Sequence, residues 1–126
     1  MSNRSLTYNK RSRDFVKWVK EQPKPLALFT GQDILACKLL SMCIAHGISV
    51  PEEVSILCVN HDDITCEIMP IGVSSIKLDA IEQGRKSMVL LEKVIEKKPK
   101  NIIKEFYSPE ICVERRSTHF LSGMTP

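Results

Sequence analysis

Leu26-Ala27-Leu28-Phe29-Thr30-Gly31-Gln32-Asp33 and, further on, Val54-Ser55-Ile56-Leu57-Cys58-Val59-Asn60-His61-Asp62-Asp63 are two apolar runs, each ending in a polar cluster. Each run has strand length and too little alternation for a face left in water, the pattern of a strand covered on both sides. Between them Ile34, Leu35, Leu39, Leu40, Cys43 and Ile44 recur at helical spacing, with Asp33 placed to cap the helix and Gly47 to end it in the left-handed position. Strand, helix and strand with short joints predict a βαβ unit, hence a parallel sheet and a right-handed crossover. The fold class expected is α/β, a three-layer parallel-sheet unit with a crossover helix. The turns after Thr30 and Val59 then leave neighbouring strands at one edge, where open α/β sheets bind small ligands.

Outward from this unit the pattern stays regular. Residues 1–11 read as a flexible basic arm. From Ser12, the positions Phe15, Trp18, Val19 and Gln22 make a short amphipathic helix that Pro23 and Pro25 stop. Phe15, Trp18 and Phe29 are expected in the core. Downstream, Val73 to Leu78 is strand-like, and Asp79 with Glu82 forms a capping-box-like start to a helix running to about Lys98. Ile81, Met88, Leu91 and Ile95 share a face of that helix with Gly84. A mid-helix glycine costs about 1 kcal/mol against alanine, which predicts a close backbone neighbour. Ile102 to Tyr107 and Glu110 to Glu114 read as two further strands or extended segments, and residues 119–126 as a polar tail.

The chain has 126 residues, 43% of them apolar and 26% charged, which suits one ordinary globular domain and excludes a disordered chain. No apolar run has the roughly 20 residues of a membrane helix, and the basic N-terminus lacks the apolar stretch of a secretory signal. A cytoplasmic location is expected. Charge is segregated: residues 1–24 carry a net +5, residues 25–84 a net −6 and residues 85–126 a net +4. The acidic middle is unsuited to nucleic acid, whose recognition needs a continuous basic footprint. Five cysteines without a CxxC pair predict free thiols, with Cys37, Cys43, Cys58 and Cys112 acting as small hydrophobes.

Chemistry concentrates at the two strand-end turns. Gln32, Asp33, Asn60, His61 and Asp62 supply amides, carboxylates and an imidazole, groups suited to bidentate hydrogen bonding to the hydroxyls of a sugar. The alternative is a helix cap at Asp33 and an ordinary polar turn at Asn60–Asp63. No nucleophile elbow accompanies His61, so no catalytic residue and no enzyme activity are expected. The spacings among His61, Asp62, Asp63, Cys66 and Glu67 match no zinc or calcium motif, and no glycine-rich phosphate loop occurs, so neither metal nor cofactor is expected.

Lys24 to Asp33 and His46 to Asp62, taken with Pro70 to Ile76 (like "PPLSSV"), Glu82-Gln83-Gly84 and Glu114-Arg115-Arg116-Ser117-Thr118 (like "RxST"), resemble the sensor domain of lactose-repressor-type transcription regulators, with the nearest likeness to the bacterial xylose operon regulators. The resemblance covers residues 12–118. It implies a periplasmic-binding-protein-like fold of two α/β lobes around a small effector, of which residues 12–118 are the C-terminal half. The helix from Asp79 and the segment Ile102 to Phe106 would cross into the other lobe, and Ile111 to Arg116 would return.

By this resemblance Asp33 falls on the aspartate of the "ND" pair, Asn60 on the hydroxyl-binding aspartate of "GxD", and His61 and Asp62 on the two positions after it. Three residues depart from the pattern: Cys58 for Gly, Gln32 for Asn, and Asn60 for Asp. An amide accepts a hydroxyl hydrogen bond without the charge that strengthens it. The implied function is a partial effector-binding domain for a small, pentose-like sugar. DNA would be contacted only through a module outside these residues, and self-association or a complementary domain would complete the fold. The competing expectation is a degenerate interaction fragment that pairs without binding ligand.

Overall fold

In a computed structural model, which describes residues 3–97, 104–109 and 111–118, the elements run α1 (Asn3–Glu21), β1 (Leu26–Thr30), α2 (Asp33–Ala45), β2 (Val54–Asn60), α3 (Asp63–Glu67), β3 (Ser74–Lys77), α4 (Ala80–Lys97) and β4 (Ile111–Val113). The sheet order is β1-β2-β3-β4. β1 and β2 pair in parallel from Leu26↔Val54 to Thr30↔Cys58, and β2 and β3 in parallel from Leu57↔Ser74 to Asn60↔Lys77. β4 joins antiparallel, with Ser75 opposite Val113. The βαβ unit is therefore as expected, while the fourth strand makes the sheet mixed rather than parallel throughout.

β2 is the central strand: Val54, Ile56 and Cys58 are fully buried and alternate with half-buried Ser55, Leu57 and Val59. They share one cluster with Val16 and Val19 of α1, Ala36, Leu40 and Cys43 of α2, Cys66 of α3 and Val73. A fully buried Leu40 or Ile56 contributes about 1.5–3 kcal/mol. β1 departs from the expectation of two covered faces. It is an edge strand whose Ala27 and Phe29 are exposed, Phe29 by 64%. Trp18 is likewise 45% exposed, so neither aromatic is core; Val16 and Val19 hold α1 down instead.

Helix ends follow local chemistry. Gly47 adopts φ +68°, and the N–H groups of Gly47 and Ile48 bond the carbonyls of Ile44 and Cys43, a Schellman termination of α2. His46 Nδ1 meets the Met42 carbonyl at 2.9 Å at the helix's C-terminal end. Asp79 accepts the Glu82 N–H at 2.8 Å and caps α4. α1 starts at Asn3, so helix replaces the flexible arm expected to Arg11; no Gly or Pro interrupts this stretch.

Three further expectations are corrected. A Cβ added at Gly84 would meet nothing within 4 Å among the described residues, so none of them explains this glycine by a close approach. The apolar row of α4 is exposed rather than packed. Residues 104–109 form no strand, and Phe106 is 93% exposed. Ile102 and the tail 119–126 lie outside the described residues. Among the described residues no helix is long and apolar enough to cross a membrane.

The chain's last described turn fastens the sheet. β2 and β3 pair only from Leu57 and Ser74 onward, and Ser117 occupies the space before that point. Its backbone accepts the Ile56 N–H at 2.8 Å and donates to the Gly72 carbonyl at 2.9 Å. Its hydroxyl donates to the Ile56 carbonyl at 2.6 Å and accepts the Ser74 N–H at 2.8 Å. Arg115 lies over Gly72, where a Cβ would stand 3.2 Å from its Cδ, and its guanidinium bonds the Val73 carbonyl and Asp63.

Candidate functional site

Because β1 and β2 are adjacent and parallel, the turns that follow them emerge side by side. The first passes through Gly31 and Gln32, the N-cap of α2, whose side chain makes no cap hydrogen bond. The second turns sharply at Asn60 (φ 112°) and His61 (φ 63°), both in the positive-φ region. Non-glycine residues there cost about 1–3 kcal/mol each and concentrate at functional turns. Asp62 then caps α3, accepting from Thr65 Oγ1 at 2.7 Å and from the Thr65 N–H. That short helix is an addition to the expected elements, although an Asp three residues before a Thr is a local capping signal for it.

Between the turns lies a cleft of about 260 Å³ lined by Gln32, Asp33, Ile34, Asn60, Asp62 and Thr65. Four of the five expected site residues thus meet. His61 does not line this cleft: its side chain is only 7% exposed, with Nε2 2.9 Å from Asp63 Oδ1. Nδ1 is buried and has no hydrogen-bond partner among the described residues. Asp63 faces Arg115 at 2.8 Å as well, so this pair is tied into the sheet's fastening. A larger groove of about 480 Å³ runs along α2, but its Ser41 and His46 already bond their own helix's carbonyls. Of the two, the strand-end cleft is the one that gathers carboxylates and amides, from the turns that follow two paired strands.

Asp33 does more than start a helix. Its carboxylate is buried, and Oδ2 accepts the Asp62 N–H at 2.8 Å. Oδ1 accepts from Cys58 Sγ at 2.9 Å and Ser75 Oγ at 3.0 Å. One side chain therefore joins α2, β2, β3 and the second turn. Burial pushes its pKa up, but the hydrogen bonds from Cys58, Asp62, Ser75 and Cys66 together outweigh this and hold it below the usual carboxylate value. Asp62 is also held low, chiefly by the Thr65 hydroxyl and N–H. Burial raises the Cys58 thiol well above its ordinary value and pushes Cys66 up to about 11, so both are protonated at neutral pH. The cleft accordingly presents two ionised carboxylates and two amides, a set that accepts hydrogen bonds from hydroxyls and repels anions.

A pH dependence follows. Asp33 has a folded pKa below the unfolded value of about 3.9, so its contribution is complete above that value and lost as pH falls through the folded one. The urea midpoint is expected to hold down to about pH 5 and to drop below about pH 4. Asp33→Asn should flatten that acid limb, and an unchanged limb would remove Asp33 as its cause.

The comparisons with known proteins bear on the family and the fold. The family described as periplasmic binding protein-like domain matches residues 2–118. The uncharacterized HTH-type transcriptional regulator YkvZ of Bacillus subtilis is 29% identical over 96 residues, covering 76% of this chain and 29% of that protein. The xylose operon regulatory protein of Escherichia coli K12 is 24% identical over 109 residues, 86% of this chain and 28% of that protein. The structure of the xylose-binding transcription activator xylR superposes with a TM-score of 0.75 at 22% identity, covering 94% of this chain and 31% of that one, a likeness of fold. The chain thus spans roughly three-tenths of the length of the curated relatives it matches.

Proposed function

This chain belongs to the periplasmic binding protein-like domain family, and from that premise we infer that it is part of the effector-binding domain of a sugar-responsive transcriptional regulator. Its role is binding, without a catalytic step. The observation that carries the reading is the cleft between the paired strand ends, where Gln32, Asp33, Asn60 and Asp62 converge. Asn60 and Asp62 are exposed and reach hydroxyls directly. Asp33, with three donors already on its oxygens, offers a remaining lone pair and fixes the second turn. His61, buried beside the turn, acts by holding its conformation. A small neutral sugar of pentose size suits the acceptor-rich lining. In the whole regulator, ligand bound here would bias closure of two lobes, and a separate module would contact DNA in the cytoplasm.

Titration with pentoses and hexoses, followed by amide chemical shifts, tests this. Saturable shifts confined to Gln32, Asp33, Asn60–Asp62 and Thr65 are expected. No response at millimolar sugar, or shifts along α2 alone, would reject it.

A second reading has its own support. Along α4 the apolar side chains Ile81, Met88, Leu91 and Ile95 are between 50% and 88% exposed. Such a row favours pairing with another copy or a complementary half. Concentration-dependent mass in sedimentation, abolished by Met88→Glu, would support pairing.

A further inference from the structure

On the core side of Asp33, its carboxylate converges with two thiols that hydroxyl binding leaves unused. Asp33 opens α2, Cys58 lies on β2 and Cys66 on α3, and all three side chains are buried. One carboxylate oxygen and the two sulfurs lie within 4.8 Å of one another, with Cys58 Sγ 2.9 Å from Asp33 Oδ1. A tetrahedral zinc ion with bonds of about 2.0–2.3 Å sets neighbouring ligand atoms about 3.5–3.8 Å apart. We propose that Asp33, Cys58 and Cys66 form a buried site for one thiophilic cation, with Zn²⁺ as the best match.

The chemistry of the set is consistent. Two thiolates and a carboxylate are zinc ligands, and the soft sulfurs discriminate against Mg²⁺ and Ca²⁺. On binding, each thiol releases its proton to solvent, and the ligands' three negative charges leave a net −1 around the ion. Ser75 Oγ and the Asp62 N–H, at 3.0 and 2.8 Å from the carboxylate oxygens, orient Asp33 from outside as second-layer partners commonly do. No sequence motif announces the site, because Asp33 and Cys58 stand 25 residues apart and meet only through parallel strand pairing. A cation there joins α2, β2 and α3 directly beneath the cleft. The inference stands apart from sugar binding, and its test uses no sugar.

The experiment is titration of the reduced, metal-free chain with Cd²⁺, zinc's spectroscopic substitute, followed by thiolate-to-metal charge-transfer absorption. The band should saturate at one ion per chain and be displaced by Zn²⁺. Cys58→Ser and Cys66→Ser should each weaken binding by at least about 100-fold. Cys112→Ser, which alters the exposed thiol on β4, should leave it unchanged. A parallel readout needs no variant: on Zn²⁺ addition, the Cβ resonances of Cys58 and Cys66 should move while those of Cys37, Cys43 and Cys112 stay in place. Absence of a stoichiometric band, its survival in Cys66→Ser, or movement centred on Cys37 or Cys112 would overturn the proposal.

Discussion

Replacing Asp33 by alanine is expected to cost about 3 kcal/mol of unfolding free energy and to abolish any sugar response. The carboxylate is buried and accepts from the Asp62 N–H, Cys58 Sγ and Ser75 Oγ. Alanine orphans the Asp62 N–H outright and leaves a void at the start of α2. Cys58 retains an alternative acceptor, the Ser74 carbonyl at 3.4 Å, and the Ser75 hydroxyl can rotate, so the penalty is smaller than three lost charged hydrogen bonds. Asp33→Asn preserves volume and one acceptor and should cost about half as much. Urea unfolding of the two variants measures the difference. A cost below about 1 kcal/mol for alanine would mean that Asp33 does not join the two turns.

The second large effect lies far along the chain from the cleft. Ser117→Ala should destabilise by about 2–4 kcal/mol, because it strips partners from two buried backbone groups, the Ser74 N–H and the Ile56 carbonyl. Alanine fits the space, so packing contributes little. Thr118→Ala, which loses only a hydroxyl contact with Ser74 Oγ, is the comparison and should cost under about 1 kcal/mol. Equal effects from the two variants would show that Ser117 is not the fastening between β2 and β3.

What can be read from residue order is the local grammar. The apolar runs at 26–30 and 54–59, the Gly47 stop and the Asp79 cap are each encoded within a few residues and form the strands, stop and cap read from them, although β1 is not covered on both faces. The adjacency of the two turns follows from the βαβ rule alone. Contacts between distant residues are not legible in this way. Asp33 sits where an N-cap belongs, yet Gln32 takes that position and the Asp33 carboxylate turns inward to Cys58 and Ser75. His61 carries a site-like residue type but packs beside Asp63. Ser117 and Arg115 carry no local signal of their fastening role, since their partners lie more than 40 residues back. Nor does an apolar residue declare its cover. Phe29 and the α4 row look like core in any periodicity count, and they remain exposed because no described element packs on them.

The candidate site depends on Asp33 holding the second turn against the first. Amide hydrogen exchange at Asp62 tests this most directly, because the Asp62 N–H points at Asp33 Oδ2 at 2.8 Å in an exposed turn. Clear protection of this amide is expected in the native chain, with a loss of about tenfold or more in Asp33→Ala while α2 stays protected. An Asp62 amide that exchanges freely in the native chain, or stays equally protected without the Asp33 carboxylate, would contradict it.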